Sequence, residues 1–153
     1  MEGSLSADAE LIYIEESISS SIMRNRCQLP NYPREIYSAS GEVTQEGDII
    51  VCGGLDQRGA KFRTCYRLNA ETWTWESTSN MRDQRYYPAI VRVNHDIFAI
   101  GGSNGTLLST VEVYIDGAWA YVSPFPHPVL FHCAVAINTS TLMVITGGGD
   151  VSN

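Results

Sequence analysis

The sequence predicts an all-β chain, an arc of a β-propeller with about three four-stranded blades in the order half blade, two full blades, half blade. Three observations carry this reading. Glycine doublets at Gly53-Gly54, Gly101-Gly102 and Gly147-Gly148 each close a short apolar run, with 48 positions from the first to the second and 46 from the second to the third. The segments between them are short alternating or continuously apolar runs bounded by turn residues, without long helical periodicity. At that period 153 residues hold about three blades, while propellers close with about 4–8.

The middle repeat is the most regular. Ala89, Val91 and Val93 alternate with Ile90, Arg92 and Asn94, and Asn94-His95-Asp96 reads as a hairpin turn. Ile97 to Ile100 is continuously apolar, as a strand covered on both faces would be, and runs into Gly101-Gly102. Thr110 to Tyr114 is the third strand, Asp116-Gly117 the turn and Trp119 to Val122 the outer strand, ended by Pro124 and Pro126. The first repeat has strands over Tyr37 to Val43, Ile49 to Cys52, Arg63 to Leu68 and Trp73 to Glu76. Trp73 alternates with Trp75 and is expected on the same strand face. The third repeat has His132 to Ile137 and Leu142 to Ile145 before Gly147-Gly148, and no outer pair follows. Near the N-terminus, Glu10 to Ile14 and Ile22 to Leu29 read as two strands of a half blade. The implied organisation is a flexible segment over 1–9 and a partial propeller over 10–149, divided into 10–30, 34–76, 85–122 and 131–149. An arc of this size leaves apolar blade faces and sheet edges open. Three readings follow: a fragment or incomplete gene model, which is favoured, an assembly of several copies, or a marginally stable piece.

These residues resemble the kelch repeat, in which an Arg precedes the first strand, a Gly-Gly follows the second, an aromatic ends the third and a Trp lies in the fourth. The middle unit offers Met81, Arg85, Gly101-Gly102, Tyr114 and Trp119; the first offers Arg34, Gly53-Gly54 and Trp75, with Leu68 in place of the Tyr. The third has His132 and Gly147-Gly148, with Val129 at the leading position. The likeness extends over about Leu29 to Gly149 and is closest to kelch domains that follow a BTB domain. The resemblance implies a noncatalytic protein-interaction module, the substrate-recruiting part of a larger cullin ubiquitin-ligase adaptor, or a cytoskeletal, actin-binding protein. It implies another protein as partner and no cofactor.

By that resemblance, protein-binding positions are Leu55, Asp56 and Gln57, then Ser103 and Asn104, then Asp150, which follow the doublets, and Ile36, Tyr87 and Phe131 beside the leading position. Tyr86 joins them because tyrosine combines contact area with a polar end. The bland reading packs one of Tyr86 and Tyr87 between blades. Arg34 and Arg85 are expected to brace adjacent blades or to contact a partner, while Trp75 and Trp119 are expected in the core. Gly53, Gly54, Gly101, Gly102, Gly147, Gly148 and Tyr114 are expected to be structural.

Composition excludes several classes. A net charge of −7 argues against nucleic acid, and Arg24 with Arg26 reads as a solvated strand edge. No stretch approaches the ~20 apolar residues of a spanning helix, and Met1 to Glu10 is acidic where a secretory signal is basic. Cys27, Cys52, Cys65 and Cys133 lack C-x-x-C spacing and read most simply as reduced thiols of a cytoplasmic protein; a Cys52–Cys65 pair on neighbouring strands is the alternative. Asn104-Gly105-Thr106 and Asn138-Thr139-Ser140 match the glycosylation pattern, which matters only in a secreted chain. His95, His127 and His132 lack the companions of a metal site, Gly101 to Thr106 lacks the Lys of a phosphate loop, and no nucleophile elbow is present. The chain is therefore expected not to be an enzyme. The alternative is a fragment of a kelch-propeller enzyme such as a copper oxidase, its ligands lying past Asn153, and open propeller edges allow self-association.

Overall fold

In the first repeat, four antiparallel strands follow one another in chain order: β1 (Tyr37–Val43), β2 (Ile49–Leu55), β3 (Cys65–Leu68) and β4 (Trp75–Thr78). A second sheet repeats the order with β5 (Ala89–Val93), β6 (Asp96–Ile100), β7 (Val111–Ile115) and β8 (Ala118–Val122). β9 (Cys133–Asn138) and β10 (Thr141–Ile145) form a two-stranded sheet. The computed structural model describes residues 30–145. The expected strands over 10–14 and 22–29, the segment 1–9, the pair Gly147-Gly148 and Asp150 lie outside the described residues. The described residues are all-β, an arc of a propeller with two four-stranded blades and the two inner strands of a third.

Matched register makes the paired strands of the two complete blades correspond residue by residue. Cys52 faces Cys65 and Leu68 faces Trp75 in the first; Ile100 faces Val111 and Tyr114 faces Trp119 in the second. The turn residues expected from sequence form the hairpins. Asp116 (φ 49°) and Gly117 (φ 80°) both take the left-handed conformation that a two-residue hairpin matching strand twist requires. Trp73 departs from expectation. It is a left-handed turn residue (φ 54°), exposed, and lies before β4, so it does not share a strand face with Trp75.

Alternation sorts each strand's side chains to the two faces of its blade. Ile50, Cys52 and Cys65 of the first blade pack with Ile97, Ala99 and Trp119 of the second, with Met81 between them. Val91, Ile100 and Val111 turn the other way and meet Val129, Ala134, Leu142 and Val144 of the third repeat. Backbone hydrogen bonds stitch the seams: Gly54 N–H donates to Arg85 O (2.7 Å) and Gly102 N–H to Val129 O (2.9 Å). Gly53-Gly54 and Gly101-Gly102 are glycine because backbone segments touch there. A Cβ on Gly53 would collide with the Arg85 carbonyl, and one on Gly101 would stand 2.5 Å from Val129 Cγ2.

Cys52 and Cys65 are joined by a disulfide, which corrects the reading of four reduced thiols. The antiparallel register sets the two residues directly opposite each other, so a pair distant in sequence becomes adjacent. Cys133 is free and exposed.

Candidate functional site

The residues preceding β1, β5 and β9 and those following Gly53-Gly54 and Gly101-Gly102 lie at one end of the blades; the hairpin turns lie at the other. At the first end the backbone repeats an unusual geometry. Ser38 (φ 59°), Tyr87 (φ 54°) and Phe131 (φ 52°) are all left-handed, which costs about 1–2 kcal/mol for an L-residue. Tyr37 O approaches Gly54 in the same way that Tyr86 O approaches Gly102, so Tyr37 corresponds to Tyr86 and Ser38 to Tyr87. This corrects the register expected from sequence. Ile36 corresponds to Arg85 rather than Tyr87, and Arg34 is no counterpart of Arg85; it stacks on Phe62, 4.4 Å from the ring centroid.

At this shared position the blades present a serine, a tyrosine and a phenylalanine. Phe131 is 69% exposed and Tyr87 37% exposed, with ring centroids 4.6 Å apart. Tyr86 adds a third ring 5.5 Å from Tyr87 and is half-buried. Tyr87 is held by its N–H, which donates to Ser38 O of the neighbouring blade (2.9 Å). Tyr86 exchanges two backbone hydrogen bonds with Ser103, each 2.9 Å. The three rings form a continuous, rigidly mounted aromatic surface across a blade seam.

The loops after the doublets are built by their own polar residues. Asp56 Oδ1 accepts from the N–H groups of Arg58 and Ala60, both 2.9 Å, and Asn104 Oδ1 accepts from Thr106 N–H (3.2 Å) and Oγ1–H (2.9 Å). Leu55 and Asp56 are half-buried, Gln57 is exposed, and Ser103 is buried with its Oγ accepting from Gly105 N–H. Ile36 is half-buried. Of the expected set, Tyr86, Tyr87 and Phe131 come together, while Ser103 is enclosed.

Arg85 lies beneath this surface, fully buried, and reaches across its own blade. Its Nη2 is 2.8 Å from Glu112 Oε1, itself fully buried, and its Nη1 donates to Gly101 O (2.8 Å) and Thr110 O (2.9 Å). Glu112 also accepts from Arg82 and Asp83 N–H, and Asp83 accepts from Thr110 Oγ1 and from Tyr121 OH (2.8 Å). Partial desolvation, then that bond to Asp83, raises the pKa of the exposed Tyr121. Glu112 was not singled out from sequence, since one acid in a strand reads as an outward-facing residue. Its opposite number in the first blade is Tyr66, against which Tyr32 stands edge-on at 5.4 Å, with Trp75 at 5.0 Å from Tyr32. Burial drives the Tyr32 hydroxyl pKa well above the usual tyrosine value. Trp119 is buried and Trp75 half-buried, its Nε1–H donating to Pro30 O (2.9 Å).

His132 is buried against Gly101, and neither ring nitrogen finds a hydrogen-bond partner among the described residues. Its burial outweighs the nearby Ile100 carbonyl and lowers its pKa. Among the described residues no three His, Cys, Asp or Glu side chains gather as a metal site, and no helix is long and apolar enough to cross a membrane. The other end of the blades carries a cleft lined by Gln45, Arg92, Asn94 and Ala136–Thr139; there Arg92 ties the first two blades through Val43 O (2.9 Å) and Gln45 Oε1 (3.0 Å).

Comparison with known proteins agrees with this geometry. The kelch motif matches residues 84–126, the second blade with its leading Arg85 segment. Spermatocyte protein spe-26 of Caenorhabditis elegans is 30% identical over 134 residues, covering 82% of this chain and 23% of that protein. Kelch-like protein 35 of Mus musculus is 30% identical over 124 residues, covering 79% of this chain and 21% of its own length. Kelch repeat and BTB domain-containing protein 8 of Danio rerio is 26% identical over 123 residues, covering 71% and 20%. The chain thus spans about a fifth of the length of these relatives. It carries kelch repeats, and they are like those of the BTB-kelch proteins.

Proposed function

We propose that this chain is a noncatalytic protein-interaction module whose docking surface centres on Tyr86, Tyr87 and Phe131. The flanks are Leu55, Asp56 and Gln57 on one side and Asn104 on the other, with Ile36 at the margin and Asp150 as a further contact. The observation that carries this is the aromatic pair at left-handed positions. The same backbone position is satisfied by Ser38 in the first blade, so the fold does not demand aromatic rings there. Large rings held rigid and half in solvent are what an interface anchor needs. By the likeness to BTB-kelch proteins, the module recruits substrate within a larger cullin ubiquitin-ligase adaptor in the cytoplasm. Affinity capture with the longest natural form, comparing wild type with Tyr87→Ala/Phe131→Ala, tests the surface. Loss of specific partners with unchanged folding supports it, and an unaltered partner set rejects it.

A second reading is favoured by a separate observation. Val135, Ile137, Met143 and Ile145 are exposed on the face of β9–β10 turned away from the second blade. The corresponding faces of the first two blades are covered by the next repeat. We infer that self-association can cover this face with the leading face of the first blade of another copy.

A further inference from the structure

We propose that the Cys52–Cys65 disulfide is a redox-operated latch on the loop over residues 53–64 and on the seam between the first two blades. The bond closes a separation of 13 residues, and that span is the loop that follows Gly53-Gly54. Both cysteines are enclosed, with Ile50, Met81, Ile90, Ile97, Ala99 and Trp119 in the same cluster. The residue after Cys52 is Gly53, over which the Arg85 backbone closes. A chain of backbone bonds then runs from loop to neighbouring blade: Phe62 N–H donates to Gly54 O, Arg85 N–H to Phe62 O, and Gly54 N–H to Arg85 O. Thr64 O accepts from Gly53 N–H, so the covalent bond sits at the foot of a hydrogen-bonded loop that joins two blades.

The second blade needs no such bond. Its corresponding residues are Ile100 and Val111, which face each other and pack with Val129 in an apolar cluster without a covalent link. Two cysteines are smaller than that pair, and the covalent link compensates for the missing packing. Reduction by a dithiol adds two electrons and two protons to the bond, giving two thiols while the dithiol's sulfurs become a disulfide. Two thiols at contact distance need more room than one bond in an enclosed core, so β2 and β3 lose register tightness where the loop is anchored. Because the sulfurs are enclosed, attack requires a local opening of the seam, and the latch responds slowly to reductant. Leu55, Asp56 and Gln57 ride on this loop, so the latch also sets how rigidly the docking face is presented. That consequence rests on the docking reading; the latch itself does not.

The test uses the full chain and needs no partner. Denatured under alkylating conditions with a maleimide-polyethylene glycol, unreduced protein takes at least two tags fewer than protein first reduced with dithiothreitol, which takes four. Native hydrogen exchange of the amides over 53–64 and at Arg85 quickens about tenfold on reduction, and the melting temperature falls by roughly 5–10 °C. Cys52→Val/Cys65→Val, which puts apolar side chains where the second blade has Ile100 and Val111, melts at the same temperature with and without reductant. Four tags before reduction would overturn the proposal. So would unchanged exchange and melting in the wild type after reduction, a comparison that stands even if the valine variant does not fold.

Discussion

Arg85 and Glu112 are two fully buried charges that hold each other, and neither is tolerable alone. Arg85 also satisfies the Gly101 and Thr110 carbonyls, so removing Glu112 leaves the buried cation with Asp83 (3.3 Å) as its one remaining carboxylate among the described residues, and removing Arg85 leaves an anion with unpaired acceptors around it. Glu112→Ala is expected to destabilise the chain by about 3–5 kcal/mol, measured by urea denaturation. The first blade shows that the pair is one solution among several, since Ile36 and Tyr66 occupy the matching places. Arg85→Ile/Glu112→Tyr is therefore expected to cost less than Glu112→Ala, and a larger cost would contradict the correspondence of the blades. His132 gives a pH dependence whose sign follows from its lowered pKa. Above the ordinary histidine value of about 6.5 both folded and unfolded forms are neutral and stability is full. As pH falls below that value the unfolded chain takes up a proton that the folded chain refuses, and stability declines until the folded group titrates. Melting curves at pH 7.5 and pH 5.5 are expected to separate for the wild type and to separate less for His132→Phe.

At the scale of elements, the glycine doublets decide whether neighbouring blades can meet. Gly101→Ala places a methyl 2.5 Å from Val129 Cγ2 and 2.7 Å from its carbonyl oxygen at a φ of 55°, so the seam must part. Gly47→Ala adds a methyl at a φ of 91° with nothing within 4 Å. We expect the turn variant to lose about 1–2 kcal/mol from backbone strain alone and the seam variant at least twice that, compared by chemical denaturation. The doublets at Gly53-Gly54 and Gly101-Gly102, the place of Trp119 and most of the described strands were legible in the sequence because each follows from local rules of alternation, turn chemistry and backbone clearance. Trp73 was misplaced because alternation assumes a strand, while its backbone had already turned left-handed. The Cys52–Cys65 bond and the Arg85–Glu112 pair were harder to read for a different reason. The first joins two strands and the second joins the segment before β5 to β7, and only the register settles which side chains meet. The candidate site was legible as positions after the Gly-Gly and before the strands, but its register was not. Arg34 and Arg85 share a residue type without sharing a place, and the aromatic cluster depends on φ values that no side-chain pattern records.

The whole molecule is a stack in which every blade has a leading and a trailing face, and each seam is made by a trailing face meeting the next leading face. Ile50, Cys52 and Cys65 are enclosed this way by the second blade, as Ile100 and Val111 are by the third repeat. The trailing face of β9–β10 repeats the apolar character, with Ile137 60% exposed and Ile145 52% exposed, and has no cover among the described residues. The leading face of the first blade offers Ile49, Val51, Tyr66 and Trp75, all half-buried. The two faces are therefore complementary in the sense in which the internal seams are, and a head-to-tail contact between copies reproduces a blade–blade seam. Two arcs of about three blades make a ring within the range of natural propellers. At high concentration, light scattering of the 16.9 kDa chain is expected to give about twice that mass. Ile137→Asp/Met143→Lys sets charges into the face and is expected to return the monomer mass without loss of the internal seams, since both side chains are exposed. A monomer at every concentration in the wild type rejects the self-association reading and leaves the aromatic docking surface, which lies on a different part of the arc, to be judged by its own variant.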